Sequence, residues 1–155
     1  MGQVVHLCLS HHELLRVNAV QILYSMIVLH YNSTGNFDEI EHEITNKLDS
    51  LFMNEAKGTD ITRAFFISQL RQLFDSSAAD DRLRERVNHF LNSVDTFLDL
   101  LLSLRTLPPG EEYHDDRVIA TLRLLNFTRQ LGKDDIYIKY VHQLVNVSLS
   151  PPTIT

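Results

Sequence analysis

Two places in this chain combine side-chain types and spacings that could do chemistry: Glu39-Ile40-Glu41-His42, and the run Cys8-Leu9-Ser10-His11-His12. A Glu-x-x-His pair on one helix face can hold one iron of a di-iron carboxylate centre. Such a centre needs a second copy of the motif and two further glutamates, all pointing inward. Glu85 and His89 are four apart rather than three, and Glu41 and His42 fall off the apolar stripe of their own segment, so a solvated helix face is the better reading. Cys8, His11 and His12 offer soft to borderline metal donors, but zinc wants a fourth partner at a recognisable spacing, and none follows. Cys8 reads instead as a buried thiol beside a helix start. Ser10, the one serine close to histidines there, is better used as a helix cap than as a nucleophile.

Phosphate-cradling loops are equally absent. The chain has five glycines and no Gly-x-Gly-x-x-Gly or Gly-x-x-x-x-Gly-Lys run. The expectation is therefore no catalytic residue, no cofactor and no metal.

Charge and length narrow the partners. The 155 residues fit one domain, and a globule of this size buries roughly 70% of its unfolded surface. Fourteen basic against 20 acidic residues leave a net charge of -6, which argues against nucleic acid. Arg82, Arg84 and Arg86 alternate with Asp80, Asp81 and Glu85, as on a solvated face with intrahelical pairs. One cysteine and no visible signal peptide suggest a cytoplasmic setting. The apolar run from Val17 to Leu29 is broken by Asn18, Gln21 and Ser25 and falls short of the ~20 residues of a bilayer crossing, so no membrane span is expected.

The elements that would position any site are helical, because apolar residues recur at three and four nearly everywhere and no stretch alternates as a strand does. Ser10 with Glu13 predicts a capped helix over 11–31, apolar nearly all round and so central. Asn36 with Glu39 predicts a second, with Phe37, Ile40, Ile44, Leu48 and Leu51 inward. After Lys57-Gly58 comes a helix over 59–75 burying Ile61, Phe65, Phe66, Leu70, Leu73 and Phe74. Ser77 with Asp80 opens the longest helix, whose stripe runs from Leu83 through Val87, Phe90, Val94 and Phe97 to Leu102 until Pro108-Pro109-Gly110 ends it. Two shorter helices meet at Gly132, and Pro151-Pro152 closes the last; residues 3–9 could add a seventh. The expected fold is all-α: antiparallel helix pairs in an armadillo-like α-solenoid or a compact helical bundle.

Two stretches resemble a known family. Asp115-Asp116-Arg117 leads into Thr121-Leu122-Arg123-Leu124-Leu125-Asn126-Phe127, followed by Lys133-Asp134-Asp135-Ile136-Tyr137-Ile138-Lys139-Tyr140. This order resembles the start of the second DOCK-homology region of the DOCK (dedicator of cytokinesis) guanine-nucleotide exchange factors. Upstream, Arg16 to Ile27, with Gly35-Asn36-Phe37 and Ile40-Glu41, is similar to the helical segment just before it in Rac-directed members. The resemblance covers about half the chain and is poor between Asn54 and Leu91.

The resemblance implies an armadillo-like scaffold over 1–110, the opening helices of the exchange region over 111–148, and a disordered tail over 149–155. It implies a role in Rac or Rho small-GTPase signalling, exerted through lobes that would lie beyond Thr155, so that this chain would not catalyse exchange by itself. A free-standing helical adaptor is the alternative. Tyr137, Tyr140, Val141 and Leu144 form the candidate protein interface, because the last helix is apolar around much of its girth. Protein partners are expected, and an uncapped solenoid face would favour self-association.

Overall fold

The computed structural model describes residues 1–54 and 58–149, and among these it contains helices and no strand. Seven α-helices follow in order: α1 Gly2–Leu7, α2 Glu13–Thr34, α3 Asp38–Asp49, α4 Asp60–Asp75, α5 Asp81–Arg105, α6 His114–Gln130 and α7 Asp134–Leu149. The seventh is the short N-terminal turn that the pattern over 3–9 allowed. The Pro151-Pro152 stop and the tail from residue 150 lie outside the described residues, as does Lys57. The chain divides into two units, Met1–Leu98 and a second from Asp99 onward.

In the first unit the apolar stripes do what the spacing requires. Phe37, Ile40, Ile44, Leu48 and Leu51 are all buried, as is the run from Leu83 to Phe97 on α5. Tyr24 meets Phe74 edge-on at 4.8 Å, and the Arg16 guanidinium lies 4.3 Å from the Phe65 ring. Helices α2 and α4 therefore run side by side in the same sense. α4 and α5 run opposite ways, since Arg63 faces Asp95 while Asp75 faces Asn88.

A turn of π-helix, Ser50–Asn54, extends α3. Leu51 and Phe52, three and four residues on from buried Leu48, are both in the core. Gly58 is buried against the face of the Phe52 ring, and a Cβ there would collide with it.

Several expectations need correction. α2 starts at Glu13, and its cap is His12, whose Nδ1 accepts the Leu15 amide at 3.3 Å, while Ser10 Oγ accepts from the His12 amide. The Ser10–Glu13 spacing was right for a capping box, but a bend at 11–12 intervenes. Nor is α2 buried all round: Ala19, Val20, Leu23 and Ile27 face inward while Leu14, Ile22 and Leu29 are exposed. At 22 residues it is long and apolar enough, by those two measures, to cross a membrane; a core helix of a soluble protein passes the same test. Ile61, expected inside, is 76% exposed because it occupies the first turn of α4, outside the stripe set by Phe66, Leu70 and Phe74. Asp80 rather than Ser77 caps α5, its carboxylate accepting the Arg82 amide at 2.7 Å. α4 is capped by a reciprocal pair in which Thr62 stands where a capping box usually has Glu: Thr59 Oγ1 accepts the Thr62 amide and Thr62 Oγ1 accepts the Thr59 amide.

The second unit contains a helical hairpin. Leu131 caps α6, and Gly132 takes a φ of 71°, a left-handed conformation that costs a glycine little. The Lys133 amide then donates to Thr128 O and the Gly132 amide to Arg129 O, which is the Schellman ending and reverses the chain into α7. The join expected at Gly132 is thus present, with its reason.

Candidate protein-interaction site

The hairpin is built from its entry loop upward. After α5, the chain passes Pro108 and Gly110, whose carbonyls both accept from the Arg117 guanidinium at 2.9 Å. Arg117 so ties the loop to the first turns of α6. Thr121 and Thr128 are buried but return their hydroxyls to helix carbonyls, Arg117 O and Leu124 O, so their polarity is satisfied. Leu124, Leu125, Ile136 and Tyr140 are buried in the core.

Of the candidate interface residues, Tyr140 is fully buried, with the Lys139 ammonium 5.1 Å from its ring centre, while Tyr137, Val141 and Leu144 are half-buried. The exposed apolar side chains of the hairpin are others: Ile138 and Val145 on α7, Ile119 and Leu122 on α6. The outward face of α7 is set by its rotation, and Ile138 and Val145, seven apart, mark it.

Polar chemistry in the first unit is structural. Arg84, expected on a solvated face, donates from Nε to Phe74 O at 3.0 Å and from Nη2 to Ser77 O at 2.8 Å, closing the C-terminal end of α4. Arg86 reaches α3, donating to Asp38 at 2.7 Å and to Glu41 at 2.9 Å. Arg84 keeps the intrahelical pair that the alternation implies, with Asp81 at 3.0 Å, but it and Arg86 also hold tertiary structure, and Glu41, expected on a solvated face, is mostly shielded. No local sequence signal could have found the Arg86 pairs, because the partners lie on another helix.

An open groove of about 700 Å³ runs between α4 and α5. Arg63, ion-paired with Asp60 at 3.2 Å and with Asp95 at 3.7 Å, lines it, together with Arg71, which donates to Asn92 Oδ1 at 2.9 Å. Its two arginines stand against Asp75 and Asp95, so it presents no net charge to a ligand. Among the described residues no group of three His, Cys, Asp or Glu side chains is placed to hold a metal ion. Cys8 is buried, and burial pushes its thiol up to about 12 from 9.0, so it is not a thiolate nucleophile at neutral pH.

No family model matches the chain, and no solved structure matches it. Individual proteins do. Over 143 residues it is 31% identical to dedicator of cytokinesis protein 3 of Homo sapiens, an alignment covering 88% of this chain and 7% of that protein. It is 31% identical over 143 residues to the Mus musculus protein of the same name, and 30% identical over 142 residues to dedicator of cytokinesis protein 4 of Homo sapiens, covering 91% of this chain. The chain thus spans 7% of the length of the relatives it matches. These alignments run through most of the chain, including much of what lies between the two stretches that resemble the family. The chain belongs to the dedicator of cytokinesis family, of whose much longer members it corresponds to one helical segment.

Proposed function

We propose that this chain is a helical scaffold segment of a dedicator-type guanine-nucleotide exchange factor in Rac or Rho small-GTPase signalling, and that it does not release nucleotide by itself. The observation that supports this most is the alignment of 143 residues, 88% of this chain, with a much longer relative, of which it covers 7%. On this reading residues 1–110 are armadillo-like scaffold and 111–148 the opening helices of the exchange region, and the work is done by shape and contact in the cytoplasm. The test is a chimera: this chain replaces the matching segment of dedicator of cytokinesis protein 3, and nucleotide exchange on Rac is measured. Exchange near the parent rate is expected. A folded chimera without activity overturns the reading.

The exposed Ile119, Leu122, Ile138 and Val145 favour one alternative, a helical adaptor that binds proteins through the α6–α7 hairpin. Surface apolar side chains clustered on one element commonly mark an interface. Charge substitution at Ile138 that leaves the chimera fully active while abolishing capture of a partner would favour it.

A further inference from the structure

Of the five tyrosines, Tyr24 and Tyr31 lie within α2 and Tyr137 and Tyr140 within α7, whereas Tyr113 alone stands outside an α-helix. It ends a single 3-10 turn, Glu111–Tyr113, at the entry to α6, and is half-buried. The chain ahead of it, from Pro108 to Glu112, is exposed. Glu111 and Glu112 precede it, and Asp115 and Asp116 follow beyond His114, all four exposed. Among the described residues no hydrogen bond or ion pair occupies its side chain. We propose that Tyr113 is a phosphorylation site, the acceptor for a tyrosine kinase, and that Arg117 takes hold of the phosphate it receives.

Phosphoryl transfer demands that the phenolic oxygen stand in line with the γ-phosphorus of ATP and its leaving oxygen. A tyrosine on the wall of a helix meets that demand only after the helix opens locally, which costs free energy. One in an exposed turn meets it with less distortion. The four carboxylates complement a basic substrate groove, one of the charge patterns by which kinases choose substrates. Tyr137 separates the two requirements: Asp134 and Asp135 also precede it, but it lies inside α7. Charge alone would select both tyrosines, and charge with access selects Tyr113.

In the transfer the phenolic Oη bonds to the γ-phosphorus, the bond to the β,γ-bridging oxygen breaks, ADP leaves, and the phenolic proton passes to the carboxylate base of the kinase. The phosphate brings a charge of about −1.5 to −2. Glu111, Glu112, Asp115 and Asp116 repel it, while the N-terminus of α6 attracts it weakly. Arg117 is the cation at hand, one helical turn along. Its guanidinium already donates to the Gly110 carbonyl, which also accepts the Tyr113 amide at 3.2 Å. It holds the Pro108 carbonyl as well, so both of its present acceptors are neutral. Charge-assisted bonds to phosphate are roughly twice as strong as bonds to such carbonyls. Arg117 therefore moves to the phosphate and releases Pro108 and Gly110, so that modification loosens the loop it had tied to α6.

The test incubates the folded full chain with a purified tyrosine kinase, ATP and magnesium, beside Tyr113→Phe and Tyr137→Phe, and maps the product by mass spectrometry. Phosphate is expected on Tyr113; Tyr113→Phe lowers incorporation at least about tenfold, and Tyr137→Phe leaves it unchanged. Reversing the charge ahead of the site, with Glu111→Lys and Glu112→Lys together, slows modification about tenfold. A second arm follows the bound phosphate by phosphorus NMR against pH. Pairing with Arg117 lowers its second ionisation below the ~6 of an unpaired phosphate, and Arg117→Gln raises it again. The proposal is overturned if Tyr113 in the folded chain stays unmodified, whether or not a free peptide spanning 108–118 is modified, or if Tyr137 takes the phosphate instead. An ionisation at or above ~6 that Arg117→Gln leaves unchanged overturns the capture by Arg117.

Discussion

Arg86 on α5 and Glu41 on α3 are separated by 45 positions in sequence and by 2.9 Å in space. Glu41 is mostly shielded from solvent, and Asp38 completes the clamp at 2.7 Å, so one guanidinium fastens the start of α3 to α5. The same guanidinium lies 5.8 Å from the centre of the Phe37 ring, which in turn packs edge-on against Phe90. Exposed pairs are worth about 0–1 kcal/mol. In a double-mutant cycle, Arg86→Met and Glu41→Gln should therefore couple by about 0.5–1 kcal/mol, and the coupling should shrink at molar salt. Urea unfolding at low and high salt measures it; zero coupling at low salt would remove the clamp from the account.

Gly58 has no room for a side chain, since the Phe52 ring covers it. Gly58→Ala should destabilise the chain by about 1–3 kcal/mol, the usual cost of overpacking. Combining it with Phe52→Leu should recover part of that loss, although Phe52→Leu is destabilising when introduced singly. If the two losses simply add in thermal or urea unfolding, the contact is not what restricts position 58.

Tyr140 and Ile138 separate core from surface on α7. Tyr140→Ala should cost about 3–5 kcal/mol, in line with truncation of other buried aromatic side chains. Ile138→Asp, on the exposed side, should stay within about 0.5 kcal/mol of the parent. Denaturant midpoints for the two variants check this, and equal effects would mean that the rotation of α7 is misassigned.

The Cys8 thiol gives an alkaline signature. Its folded value is raised by burial from 9.0 to about 12, so the unfolded chain loses this proton first as pH rises. Below 9.0 the group contributes nothing to pH dependence; between 9.0 and about 12 stability should fall by about 1.4 kcal/mol per pH unit on its account. Cys8→Ala should flatten the slope of unfolding free energy against pH by that amount in this window. An unchanged slope would show that the thiol is not buried.

The fold was legible in the sequence where the stripes are long. The α3 and α5 rows sit inside as their spacing required, and Gly132 ends α6 as a glycine at that point should. Starts were less legible, because several polar residues near a helix N-terminus can each cap it, and tertiary packing chose His12 and Asp80 over Ser10 and Ser77. The Arg84–Asp81 pair was legible, but the tertiary contacts of Arg84 and Arg86 were not, since alternating charge looks the same whether its partners are neighbours or another helix. On α7, residue type alone does not reveal the rotation that buries Tyr140 and exposes Ile138 and Val145. The family was readable from two short stretches because its residues recur in order, whereas the periodicity alone led only to helices.

The most direct test of the central claim, that this chain works by contact and leaves nucleotide release to other parts of a dedicator protein, is GDP release from purified Rac in the presence of the isolated chain. The account predicts release at the spontaneous rate across a wide range of chain concentrations. Release rising in proportion to the added chain, and lost when the chain is unfolded, would contradict it.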